Sequence, residues 1–75
     1  MQITYDTEAD ALHIKFQEGK FFKNKEVQDG VILDIGEGEV LLELEVLNAS
    51  SRFSLQDLSQ VDVRMPLELA EATPE

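Results

Sequence analysis

The stretch Val31-Ile32-Leu33-Asp34-Ile35-Gly36-Glu37-Gly38-Glu39-Val40-Leu41-Leu42-Glu43-Leu44-Glu45-Val46-Leu47-Asn48-Ala49-Ser50 decides the fold. Two runs rich in Val, Ile and Leu flank Gly36-Glu37-Gly38-Glu39, where glycine supplies the positive φ that a tight reversal needs. In the second run Val40, Leu42, Leu44 and Val46 alternate with Leu41, Glu43, Glu45 and Leu47. One face is therefore wholly apolar and the other half charged, the pattern of a hairpin in a sheet packed on one side and partly wet on the other.

Working back toward the N-terminus, residues 2–6 alternate around Ile3 and Tyr5 and predict a first strand. Thr7-Glu8-Ala9-Asp10 reads as a turn in which Thr7 caps the amides ahead of it. A second strand is expected over Ala11–Gln17, with Leu12, Ile14 and Phe16 on one face and Ala11, His13 and Lys15 on the other. A weaker, lysine-studded strand over Phe21–Val27 leads through Asp29-Gly30 into the hairpin. The connections are short, which predicts an antiparallel meander of four to five strands.

Beyond the hairpin, Ser54-Leu55-Gln56-Asp57 has the spacing of a helix start and predicts a short helix over 54–60 that covers the apolar face. Val61, Val63 and Met65 alternate with Asp62 and Arg64 and predict a final strand ended by Pro66. The expected class is α+β, a small antiparallel sheet with one short helix, in one domain over 1–69 with a frayed tail over 70–75.

Seventy-five residues permit one small domain, and such a chain buries only about 60% of the surface its unfolded form exposes. A covering helix or a second copy is expected to complete the core. The absence of cysteine excludes disulfides, thiolate metal sites and a cysteine nucleophile, and suits a reducing, cytoplasmic setting. No apolar run approaches a membrane span, and no basic segment followed by an apolar core opens the chain. Sixteen acidic residues against six basic ones give a net charge of −10, which repels nucleic acid and anionic membranes. Residues 1–28 carry five acids and four bases, whereas 29–75 carry eleven acids with only Arg52 and Arg64. That acidic portion suits a basic protein partner as well as solubility.

No arrangement of residues announces catalysis. His13 alone has an ordinary pKa near neutrality, so an acid/base proposal starts there with Asp6 or Asp10 as its carboxylate partner. Alternation places His13 beside Lys15 on a solvated strand face. Asp6, Glu8 and Asp10 cluster at the first turn, where turn-forming and capping account for them. Asp34, Glu37 and Glu39 lack the order of a calcium loop, and no two candidate ligands stand at a metal-binding spacing. No Gly-x-Ser-x-Gly segment or phosphate loop occurs, and no cofactor is implied. Lys20-Phe21-Phe22-Lys23-Asn24-Lys25 interleaves basic and aromatic residues, which reads first as an aggregation-blocking edge strand and second as a binding or dimerisation edge.

Three blocks, Tyr5-Asp6-Thr7-Glu8-Ala9-Asp10-Ala11-Leu12-His13-Ile14, Asp29-Gly30-Val31-Ile32-Leu33-Asp34 and Leu44-Glu45-Val46-Leu47-Asn48-Ala49-Ser50, resemble the domain-of-unknown-function 2283 family of small prokaryotic proteins. Its members typically carry Tyr-Asp-x-Glu-Ala-Asp-Ala-Leu-Tyr-Ile, then Gly-x-x-Leu-Asp, then Ile-Glu-Ile-Leu-x-Ala-Ser. His13 stands where that pattern more often has Tyr. The resemblance implies a compact antiparallel sheet without an assigned activity or catalytic residues and, through relatives whose genes lie beside those of small toxin-like proteins, an acidic inhibitor of a basic partner.

The expected function is a non-enzymatic protein-binding or regulatory module, antitoxin-like in character and able to form a homodimer. Phe21, Phe22, Glu43 and Glu45 are its candidate interaction residues. The alternatives are a small hydrolase or metal-dependent enzyme using His13 with Asp6 or Asp10, and a structural subunit that dimerises through Phe21-Phe22.

Overall fold

A computed structural model of the chain describes residues 1–66. Five strands, β1 (Gln2–Asp6), β2 (Ala11–Lys15), β3 (Phe21–Gln28), β4 (Val31–Gly36) and β5 (Val40–Leu47), precede two one-turn helices, α1 (Ala49–Arg52) and α2 (Leu55–Leu58). All pairings are antiparallel, and the helices complete a small α+β fold.

The strand order is β1-β2-β5-β4-β3, so the sheet is not the meander expected from short connections. β5, the strand richest in Val and Leu, takes the centre, where both its edges are hydrogen-bonded and Leu42 and Val46 are buried. β3, which carries Lys23 and Lys25, is sent to an edge and is exposed along its whole length. The connection between β2 and β3 crosses the end of β5 and β4. The Phe16 amide donates to the Leu42 carbonyl (2.7 Å), and the Glu37 amide donates to the Lys20 carbonyl (3.0 Å).

This crossing explains the glycines of the hairpin. The positive φ values fall at Gly38 and Glu39, not at Gly36. Gly36 is needed for close approach instead, since a Cβ there would lie 3.0 Å from the Lys20 carbonyl oxygen and 3.1 Å from the Leu42 side chain.

Register sorts the side chains into cross-strand rows. Ile3, Ile14, Leu44 and Leu33 form one apolar row, and Tyr5, Leu12, Val46 and Val31 another beside it. On the opposite face run Gln2, Lys15, Glu43 and Asp34, and beside them Thr4, His13, Glu45 and Ile32. α2 and the residues flanking it lie over the apolar face, where Phe53 and Leu58, together with Val61, approach Ile3, Leu12 and Ile14 across a groove. The described residues measure 39 × 33 × 19 Å, and their buried apolar core is Ala11, Leu42, Val46 and Ala49.

At the C-terminal side, Ser54 caps α2 as its spacing predicts, its Oγ accepting from the Asp57 amide (3.1 Å). α1 is an addition. Asn48 adopts the left-handed conformation (φ 54°), which Asn tolerates better than most residues, and this turns the chain out of β5. The strand expected over Val61–Met65 is not formed, because an alternating pattern cannot make a strand without a partner edge. The boundary at residue 69 and the tail over 70–75 lie outside the described residues.

Candidate functional site

Two clusters gather the chemically capable side chains, one at an end of the sheet and one on its polar face. At the end where β1 passes to β2, Asp6 turns the chain. Its Oδ1 accepts from the amides of Glu8 (3.0 Å) and Ala9 (3.1 Å), the capping role that Thr7 was expected to fill.

Asp10 follows with φ 54°, and its carboxylate gathers three donors. Tyr5 Oη donates to Oδ1 at 2.6 Å, the Ser50 amide to Oδ1 at 2.9 Å and Ser50 Oγ to Oδ2 at 2.8 Å. The Asp10 carbonyl also accepts from the Ala49 amide (3.0 Å). These bonds favour the carboxylate over the acid and hold Asp10 below the ordinary carboxyl value, led by Tyr5 and then Ser50. The same hydrogen bond pushes the Tyr5 phenol up, because the proton it donates is harder to remove.

Small side chains let the backbones meet here: Ala49 is 0% and Ala11 1% exposed. Arg52 closes the far side, donating from Nε to the Leu47 carbonyl (2.8 Å) and from Nη2 to the Asp29 carbonyl (2.6 Å). Gly30, with φ 78°, makes room for it. The Gly30 amide donates to Glu26 Oε2 (3.0 Å), and the Gly30 carbonyl accepts from the Leu47 amide (2.8 Å). This cluster works as a latch: its oxygens are occupied by hydrogen bonds that tie β1, β2 and the β3–β4 turn to α1.

On the polar face, β5 presents Glu43 and Glu45 on the same side, with His13 directly opposite Glu45 and Lys15 opposite Glu43. His13 lies between the two glutamates, Nδ1 at 2.9 Å from Glu43 Oε2 and Nε2 at 3.7 Å from Glu45 Oε2. Lys15 Nζ turns away to donate to Glu18 Oε2 (2.6 Å), and this carboxylate raises the lysine pKa. Asp34 faces Glu43 from β4. The cluster is about one-third exposed and lies on an open sheet face.

The carboxylate partners of His13 are therefore Glu43 and Glu45, not Asp6 or Asp10, which serve the turn and the latch. A general base needs one ring nitrogen directed at a substrate proton. Both nitrogens of His13 face carboxylates instead. Among the described residues no three His, Cys, Asp or Glu side chains converge as a metal site.

The residues proposed as one interaction surface fall into two places. Glu43 and Glu45 belong to this central patch, whereas Phe22 sits at the sheet edge beside Glu37, Gly38 and Glu39 of the hairpin tip. The latch itself was not anticipated from spacing. Tyr5 and Asp10 are five residues apart and Ser50 forty beyond, and no local period links them.

The fold and its latch thus define a small α+β protein built on one antiparallel sheet whose charged face lies open. The chain belongs to the family described as Protein of unknown function (DUF2283), which matches residues 2–50. The latch joins residues from all three sequence blocks that carry the resemblance. The chain is also 37% identical over 59 residues to a Methanosarcina mazei protein named "Putative hypoxanthine phosphoribosyltransferase". That alignment covers 76% of this chain and 47% of the relative, so the chain spans about half the length of the curated relative it matches. No solved structure matches the chain. Among the described residues, no helix is long and apolar enough to cross a membrane.

Proposed function

We propose that the chain is a non-enzymatic binding module that engages a basic protein partner through the open polar face of its sheet, in the manner of a small inhibitor or antitoxin. The observation that supports this reading is the placement of Glu43, Glu45 and Asp34 on adjoining central strands, opposite the face that α2 and its flanking residues approach. Strands on both sides hold these carboxylates in fixed relative positions, and a rigid charged surface sets partner choice and encounter rate more than affinity.

The test compares capture of partners from the native cytoplasm by the tagged wild-type chain and by a Glu43→Gln/Glu45→Gln variant. A basic companion retained by the wild type and lost by the variant is expected. Its affinity should fall between about 150 mM and about 500 mM salt, since exposed charges are screened over that range. Equal retention by both chains, or affinity indifferent to salt, overturns the reading.

The likeness to the Methanosarcina mazei protein motivates a second reading, in which this chain corresponds to a portion of a phosphoribosyl-transfer enzyme. Transfer of ribosyl phosphate from a ribosyl phosphate activated as its 1-diphosphate to hypoxanthine, with release of diphosphate, by the purified chain would establish it. No phosphate-cradling loop in the sequence favours it over the first.

A further inference from the structure

We infer that the outer edge of β1 is a self-association site, where two copies of this chain pair β1 with β1 antiparallel about a two-fold axis and so join their sheets. The sheet has two free edges, β1 and β3, and they are built differently. Lys23 and Lys25 lie along β3 with Lys20 just before it, and two bulges break its pairing with β4. Lysines and bulges keep a sheet edge from pairing with a second copy of itself. β1 carries neither. Its five residues Gln2–Asp6 pair with β2 in unbroken register, include no basic residue and no proline, and carry one charge, Asp6, at the last position. Among the described residues no strand covers its outer edge.

The register of such a pair is self-complementary. With the axis at Thr4, the centre of the strand, Ile3 of each copy stands opposite Tyr5 of the other, and Gln2 stands opposite Asp6. An axis perpendicular to the sheet preserves the faces, so the Ile3–Tyr5 pairs fall on the apolar face and Gln2, Thr4 and Asp6 on the polar one. A β-branched side chain against an aromatic ring is a favourable cross-strand pair, and an amide against a carboxylate supplies a hydrogen bond. Tyr5 Oη is already held by Asp10 at 2.6 Å, so its ring is fixed before a second copy arrives.

Uncovered apolar surface gathers at the same edge. Ile3, Phe53 and Val61 line one groove and are 37%, 41% and 59% exposed, and α2 beside it buries none of its residues. Val61–Met65 starts at this groove but forms no strand against β1. A second copy extends the apolar face past β1, and the two grooves adjoin across the axis. Pairing β3 with β3 would instead set lysine against lysine. The β1 edge is separated from Glu43 and Glu45 on β5 by β2. Salt also acts on it in the opposite sense to capture of a basic partner, because chains of net charge −10 repel one another and salt screens that repulsion. Either proposal can therefore fail without the other.

The absence of native cysteine allows a direct test on the full chain. Thr4→Cys brings each thiol to its own counterpart at the axis, where directly opposed residues of paired strands meet. Mild oxidation should convert it to a disulfide dimer at twice the 8.5 kDa chain mass, in yield well above that of Asn24→Cys on β3. In sedimentation the wild type should be dimeric at millimolar concentration, and more so at about 500 mM than at about 50 mM salt. Thr4→Lys, which sets two like charges at the axis, should weaken association by about tenfold or more, equivalent to about 1.4 kcal/mol. Phe22→Glu should leave association unchanged. Thr4 is exposed in the single chain, so the lysine variant retains the monomer fold. A wild-type chain that stays monomeric, an association that weakens as salt rises, that Thr4→Lys leaves intact or that Phe22→Glu abolishes, or cross-linking of Thr4→Cys no better than that of Asn24→Cys overturns the proposal. So does a monomer in which Thr4→Cys and Val63→Cys, combined, close a disulfide within one chain, since its own segment would then occupy the edge.

Discussion

The latch at one end of the sheet and the β3 edge are both charged and polar, yet they are built on opposite principles. In the latch, Tyr5, Asp10 and Ser50 spend their polar groups on one another, and Ala11 and Ala49 bring the backbones within reach. Along β3 the side chains are exposed, with Glu26 alone reaching back to the Gly30 amide, bulges interrupt the pairing with β4, and the aromatic pair Phe21-Phe22 lies exposed. The comparison teaches that polarity alone does not identify a functional surface. A carboxylate already held by three donors is part of the scaffold, whereas an edge with unpaired backbone remains available to a partner.

Replacing the buried latch alanine gives the largest expected effect. Ala49→Leu forces four-carbon bulk into a fully buried site and should destabilise the chain by about 1–3 kcal/mol. Val27→Thr, on exposed β3, should stay within about 0.5 kcal/mol of wild type. Urea unfolding at a dilution that prevents self-association measures both, and equal costs would erase the contrast between the regions.

Gly30→Ala comes next. It places a Cβ at φ 78° and 2.6 Å from Arg52 Nη2, and should cost about 1–2 kcal/mol from the left-handed conformation alone. Combining it with Arg52→Ala relieves the clash but not the backbone strain. A double variant whose loss equals the sum of the two single losses would show that Arg52 does not press on this turn.

The hydrogen bonds to Asp10 predict a smaller, pH-dependent effect. Its folded pKa lies below the ordinary 3.8, so the stability it contributes is fully present above that value and is lost as pH falls through the folded pKa. Tyr5→Phe and Ser50→Ala should each bring the Asp10 pKa back toward 3.8 and flatten that acid loss. Carboxyl chemical shifts followed through an acid titration measure it, and an unchanged Asp10 midpoint in both variants would remove the latch from the account of acid stability.

The smallest effect is expected on the polar face. His13→Ala removes a partly exposed side-chain hydrogen bond to Glu43 and should cost about 0.5 kcal/mol or less in thermal unfolding. A loss matching that of Ala49→Leu would make His13 a structural residue and extend the latch logic to the sheet face.

How much of this was legible follows from what each feature depends on. The central hairpin, β1, and the Ser54 cap were readable because period-two alternation and cap spacing act over a few residues. The turn at Thr7–Asp10 was placed correctly but assigned the wrong capping oxygen, since Asp6 and Thr7 both offer one and only the backbone path chooses between them. The His13 cluster was half legible. Alternation put His13 and Lys15 on one face, but the carboxylates came from β5, thirty residues on. The latch was hidden because the three blocks had a recognisable order and no local sign that they touch.

By itself, then, the sequence determined an acidic, cysteine-free α+β protein with a Val- and Leu-rich hairpin at its centre, because those properties reside in composition and in contacts between near neighbours. Only the tertiary structure decided that β5 separates β2 from β4, that Asp10 is bound by Tyr5 and Ser50, and that Val61–Met65 stands without a strand partner among the described residues. The physical reason is that strand order minimises exposed apolar surface over the whole sheet. Short connections constrain how far apart consecutive strands may lie, but they do not say which strand is apolar enough to be worth surrounding.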